Sequence, residues 1–335
     1  MEVTLFYNMR KVWNSEIFQG KRKRRKYFEG WYFKQVSTDG RHIYSIIPGI
    51  AFGNSKSDES HAFIQFINGR TGDSDYFTFP VSDFNFSKNR FEIEIGNNKF
   101  SNSGISLKLG KNSLDITGDL EFKGITTLPF NLFSPGAMGW YSFVPFMECY
   151  HGLVSLDHGM SGSLSINNKI LNFTGGRGYI EKDWGSSFPS SWIWLQSNNF
   201  DKPGISVMLS IARIPWMGNS FTGFLCFFLL DGKIFQFASY TGAILKHIAL
   251  SYQNISVLIE DKNHSLQIDV KRKKGGMLIA PVSGTMGRRI TESINSNIEV
   301  IFSSRQSGNI QYSGKSHSSG LEIMGDIHEL GAEDI

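Results

Sequence analysis

The chain has 335 residues, a formal net charge of +4, and 40% apolar against 19% charged residues. That balance excludes a disordered polymer and suffices for one large domain or two ordinary ones, while the modest charge singles out no acidic partner. Only two cysteines, Cys149 and Cys226, are present, which excludes a disulfide framework and leaves buried thiols as the default.

Residues 1–26 read as an N-terminal segment. Its opening, "MEVTLFYNMRKVW", lacks the long apolar core of a signal peptide, and "MRKVWNSEIFQG" is the one stretch with the character of a short helix. The block "KRKRRK" from Lys21 to Lys26 is the strongest charge run. Its plain reading is a solvated segment before the first strand. Among functional uses, contact with an anionic membrane surface fits better than nucleic acid, and no nucleic-acid partner is expected.

From residue 27 onward the pattern is β. Aromatics reach 14%, with 28 Phe and 35 Gly but only 9 Pro. Segments such as "FEIEIG", "ISLKLG", "SLSINN" and "SLQIDV" alternate apolar and polar residues, and "TDG", "GNN" and "DGK" separate them as turns. Two strands share a form, "WYFKQ" at Trp31 and "WIWLQ" at Trp192, each preceded by Tyr-apolar-Glu (Tyr27 to Glu29, Tyr179 to Glu181) and followed by a second strand. Their offset is close to half the chain. Later matches are "FEIEI" at Phe91 with "ISVLI" at Ile255, and "SLKL" at Ser106 with "LQIDV" at Leu266. The expectation is an all-β chain of two tandem antiparallel β-barrels or bent sandwiches related by internal duplication, 27–165 and 166–335. "IPWMGNSF" reads as an aromatic loop, either a lid or a surface contact. The longest apolar run, "FLCFFLL", is too short to span a bilayer, so a soluble cytoplasmic protein, at most membrane-peripheral, is expected. Nucleotide-binding glycine motifs and a G-x-S-x-G elbow are not found.

Five stretches together resemble the tocopherol cyclase family: "KYFEGWYFK" from Lys26, "HGLVSLDHGMSGSL" from His151, "GRGYIEKDWGSSFPSSWIWLQSNNF" from Gly176, "IARIPWMGNSFTGF" from Ile211 and "GLEI" from Gly320. The resemblance covers essentially the whole chain. It implies two lipocalin-like barrels and a reaction in which a prenylated hydroquinone is protonated on its first chain double bond and closed by the phenol oxygen to a chromanol. That chemistry requires no redox cofactor and no metal. The partner is then an apolar small molecule, a prenyl quinol or related isoprenoid.

Such a reaction needs an acid kept protonated by burial, aromatic faces for the developing cation, a base for the phenol proton, and a dry site. Extended backbone puts Tyr179, Glu181 and Asp183 on one face, with Ile180, Lys182 and Trp184 on the other. Asp183 is the expected acid and Glu181 its alternate. Trp184, Trp192, Trp194 and Gln196 are expected to line the cavity, and in the first half Glu29, Trp31 and Phe33 face the barrel interior with Gln35. Each of these has a structural reading as well: barrel core for the aromatics, a turn-capping role for Asp183, and a carboxylate paired with Arg or Lys for Glu29. His151, next to Tyr150, is the expected acceptor of the phenol proton. Cys149, His151 and His158 lack a metal-site spacing. A carrier that binds an apolar ligand without changing it shares the cavity but not the need for the carboxylates. Hydration or hydrolysis of a lipid shares the acid but admits water.

Overall fold

The computed structural model describes residues 12–54, 60–111, 114–129, 134–145, 147–216 and 218–334. Among them the regular structure is strand, with three short 3-10 turns. Residues 12–20, expected as part of a helix, form turns instead, and residues 9–11 of that stretch lie outside the described residues. A helix long and apolar enough to cross a membrane is absent among the described residues.

The chain divides into two compact units: residues 1–68, 73–188 and 278–289 make the first, and 69–72, 189–277 and 290–335 the second. The first holds β1 (Tyr27–Val36), β2 (Ile43–Phe52), β3 (His61–Asn68), β4 (Ser74–Phe79), β5 (Phe84–Phe86), β6 (Glu92–Ile95), β7 (Asn98–Ser101), β8 (Gly104–Lys111), β9 (Leu114–Lys123), β10 (Cys149–Ile166), β11 (Lys169–Asn172) and β12 (Arg177–Gly185). They form one antiparallel sheet in the order β4-β3-β2-β1-β12-β10-β9-β8-β7-β6-β5, with β11 beside β10. The sheet curls until both of its ends share one core: Phe77 of β4 and Ile93 of β6 pack in the same cluster as Trp31, Phe33 and Ile180. Burying rings of this size is the main stabilising term of such a barrel.

The remaining strands are β13 (Trp192–Ser197), β14 (Ile205–Trp216), β15 (Asn219–Leu230), β16 (Lys233–Ala238), β17 (Ile244–Leu250), β18 (Asn254–Glu260), β19 (His264–Lys271), β20 (Gly276–Val282), β21 (Thr285–Ser304), β22 (Ile310–Met324) and β23 (Glu333–Asp334). Their sheet runs β16-β15-β14-β13-β22-β21-β19-β18-β17-β23, with β20 beside β21. Its core is aliphatic around Phe228 and Phe302, with Ile193, Leu195, Val257 and Ile268. The expected "DGK" turn joins β15 to β16, where Asp231 and Gly232 take φ of 48° and 81°; two left-handed residues match the twist of a tight hairpin.

The two sheets repeat one strand order, β1 between β2 and β12 as β13 lies between β14 and β22. Three details differ from the sequence reading. The division falls after Phe188 rather than near residue 165, because β12 pairs with both β1 and β10 and so completes the first sheet. Its Tyr179–Glu181 is therefore a partner of β1, not a repeat of Tyr27–Glu29. The later matches also shift: counting outward from β1 and β13, the counterpart of β8 is β18 and that of β9 is β19. Finally, "IPWMGNSF" is not an irregular loop. Residues 214–216 and 219–221 extend the β14–β15 ladder, with Ile214 opposite Phe221, and Met217 lies outside the described residues.

Candidate active site

In the β10–β12 ladder His151 stands opposite Asp183, and Leu153 opposite Glu181. Alternation on β12 puts Tyr179, Glu181 and Asp183 on the face away from the aromatic core. The register therefore assembles a polar cluster without any loop. His151 Nδ1 lies 2.8 Å from Asp183 Oδ1, and Nε2 lies 3.5 Å from Glu181 Oε2. The Tyr179 hydroxyl donates to Glu181 Oε2 at 2.5 Å. Burial opposes a charge on His151, but the Asp183 and Glu181 carboxylates, together with the Asp183 hydrogen bond, outweigh it and raise the imidazole to about 9. His151 is thus protonated at neutral pH. The residues expected as acid and as acceptor are therefore direct neighbours in one cluster rather than separate groups.

The opposite face of the same strands carries a second, structural charge pair. Lys182, fully buried, donates to Glu29 Oε1 at 2.5 Å, to Ser15 O at 2.7 Å and to Ile17 O at 2.6 Å. Its ammonium lies 4.7 Å from the Trp31 ring centroid and 4.8 Å from that of Trp184. Glu29 in turn accepts from the Gln19 and Gly20 amides and the Tyr27 hydroxyl. Every proton of the ammonium has an acceptor, which is the condition for a tolerable buried ion pair. Burial lowers the Lys182 pKa, and Glu29 works against that. This pair ties residues 15–20 to β1 and β12, and Trp31 adds a bond from Nε1 to Glu16 O at 2.8 Å.

Beside the start of β10 and the end of β12 lies a cavity of about 560 Å³, lined among others by Gln19, Tyr27, Tyr150, His151, Trp184 and Ser186. Its size suits a small ligand. Tyr150 and Trp184 stack at 5.6 Å with planes 10° apart, and the Tyr150 hydroxyl is fixed to Val144 O at 2.7 Å.

The other expected site residues lie elsewhere. Trp31 and Phe33 are fully buried in the core of the first unit, with Trp31 stacked on Phe91 at 5.8 Å. Trp192, Trp194 and Gln196 belong to the second unit, on the face of β13 opposite to the core-facing Ile193 and Leu195. Trp192 Nε1 donates to Glu322 Oε2 at 2.7 Å, and Gln196 Nε2 to Asn198 Oδ1 at 3.2 Å. His158 faces the core of the first unit. Bulges between Leu153 and Ser155 and between Ser155 and His158 set that phase. Its ring lies over Gly178, where an added Cβ would fall 2.1 Å from Nε2, so only glycine admits it. Burial pushes His158 down to about 3. Among the described residues, the one grouping of potential metal ligands is His151, Glu181 and Asp183, within 4.8 Å of one another, not the Cys149–His151–His158 set weighed from spacing. Lys182 and Tyr179 are the members the sequence reading passed over as chemistry; the place of Lys182 opposite Trp31 comes from strand register, which leaves no local signal in the sequence.

A tocopherol cyclase-like family model matches residues 129–325. The chain is 29% identical over 143 residues to a rice protein (Oryza sativa subsp. japonica) described as a probable chloroplastic tocopherol cyclase; the match spans 41% of this chain and 30% of that relative's length. Two solved structures share the fold. CghA with Sch210972 superposes with a TM-score of 0.57 at 11% identity, covering 89% of each chain. Kievitone hydratase from Nectria haematococca gives 0.51 at 12%, covering 93% of this chain and 94% of that one. The family model covers more than half of the 335 residues and includes His151, Glu181 and Asp183: the chain belongs to the tocopherol cyclase-like family.

Proposed function

We propose that the protein is an acid-catalysed cyclase that converts a prenylated hydroquinone, or a related isoprenoid, into a chromanol. The observation that carries this reading is the placement of His151 between Asp183 and Glu181 at the edge of an aromatic cavity. The reaction is an isomerisation, so its protons must balance. One proton leaves the cluster for the chain alkene, the phenol oxygen bonds to the cationic carbon, and the released phenolic proton refills the cluster. His151 is the exit point in this scheme, because it lines the cavity while Asp183 and Glu181 stand behind it. The two carboxyl groups hold its proton. A phenol titrates near 10, as tyrosine does, close to the value of about 9 for His151, which suits exchange between the two. Trp184 and Tyr150 supply the ring faces that stabilise a developing cation.

Purified protein is incubated with a geranylgeranylated hydroquinone, and a product of equal mass with shifted retention is sought. In heavy water that product carries one carbon-bound deuterium. Binding without conversion would identify a carrier instead, and incorporation of labelled oxygen from water would identify a hydratase.

A further inference from the structure

The cavity of the first unit has a charge asymmetry that cyclisation of a neutral quinol does not use. Its lining includes Lys23 and Lys26 but no Asp or Glu, and the charge of His151 is already met by Asp183 and Glu181 behind it. Lys23 and Lys26 are exposed, and neither has a carboxylate partner among the described residues. They come from the basic run that the proposed reaction leaves idle. Lys26 is held at φ 48°, a conformation that non-glycine residues rarely adopt, and its amide is tied to Gly53 O at 3.1 Å. Lys23 lies 5.6 Å from the centroid of the Tyr27 ring, and Tyr27 is itself anchored to Glu29. The basic side chains therefore leave a fixed stretch of backbone at the mouth, while the stacked Tyr150 and Trp184 form the inner wall.

We infer that this cavity takes an amphipathic anion, with an aromatic body against Tyr150 and Trp184 and a carboxylate- or phosphate-like group at Lys23 and Lys26. On the cyclase reading above, on which this identification of the substrate rests, the preferred quinol carries such a group on its ring. Two exposed lysines strengthen binding of an anion without excluding a neutral analogue, by roughly three- to tenfold in affinity, and the gain shrinks as salt screens it.

A matched pair of dyes tests the charge preference without requiring catalysis. 1-Anilinonaphthalene-8-sulfonate and N-phenyl-1-naphthylamine share a skeleton and differ by the sulfonate. Fluorescence titration of the full chain should give tighter binding of the sulfonate, by that factor, at low salt. The double variant Lys23→Gln/Lys26→Gln should lose this preference while binding the neutral dye as before, and Trp184→Ala should weaken both. Equal affinities in the wild type, or a preference that survives in the lysine variant, overturns the proposal. So does a variant that keeps the preference and loses only its hold on phosphatidylserine vesicles, which would assign the lysines to a membrane. Rates on a geranylated dihydroxybenzoate and on geranylated hydroquinone then test the substrate class. Dye preference without any chromanol would leave the anion site standing and remove the cyclase reading.

Discussion

His151 and Asp183 face each other across two paired strands, and the 2.8 Å bond between Nδ1 and Oδ1 is the side-chain expression of that register. The partnership is thus fixed by the most rigid part of the fold rather than by a turn. Asp183→Asn keeps the size of the side chain but removes the charge that holds the proton on His151. We expect chromanol formation to fall by about 10²–10⁴-fold, with folding intact by circular dichroism. A variant that cyclises at the wild-type rate would remove Asp183 from the mechanism.

The raised value of His151 makes stability depend on pH in the alkaline range. The folded pKa of about 9 lies above the ordinary 6.5. The associated stabilisation is therefore complete below pH 6.5 and is lost as pH rises through 9, on the order of 3 kcal/mol in all. Urea melts at pH 6 and pH 10 measure it. His151→Gln should flatten the difference and abolish any alkaline limb of the rate profile.

His158 predicts the opposite slope in acid. Its folded value of about 3 means that the unfolded chain binds a proton the native one refuses. Stability should therefore decline from pH 6.5 towards 3, by on the order of 4 kcal/mol. The Ser155 hydroxyl donates to Asp157 O at 3.1 Å, which leaves His158 Nδ1 as the donor in its 2.9 Å contact with Ser155 Oγ and Nε2 bare. His158→Phe should reduce the acid sensitivity, read from melting temperatures at pH 4 and 7.

For the Lys182–Glu29 pair, Lys182→Met alone should cost about 3–5 kcal/mol, because it leaves Glu29 buried and unpaired. Glu29→Gln combined with Lys182→Met should be markedly less damaging than the sum of the single changes. An additive result in denaturant melts would mean that the pair is not coupled.

The donor atoms of His151, Glu181 and Asp183 lie close enough for a divalent cation, which would compete with the proton on the imidazole. We expect a chelator to leave cyclisation unchanged and added zinc to inhibit it. Loss of activity on chelation, restored by metal, would recast the cluster as a metal centre.

The sequence made the β-class legible because alternation and turn residues are local signals; the Asp231–Gly232 turn needs nothing beyond two residues. It also placed Tyr179, Glu181 and Asp183 on one face of one strand. What it could not supply was register between strands distant in sequence. A slip of one residue exchanges inside for outside, and this is the difference between Trp31, which faces a core, and Trp194, which does not, although both occupy the same tryptophan-headed pattern. The bulges in β10 are of the same kind, since they turn His158 inward while His151 stays with the carboxylates. Protonation was hidden for a related reason: the charge on His151 depends on two neighbours brought in by β12, thirty positions along the chain.

The bonds from Lys182 to Ser15 and Ile17 bear on how the molecule can be shortened. Residues ahead of the first strand look like a dispensable leader, yet they supply two of the three oxygens that make a buried ammonium tolerable. Trimming at Tyr27 would leave a cation between two indoles with a single counter-ion and would unroof the wall of Gln19 and Lys23, so the loss would reach the ligand as well as the scaffold.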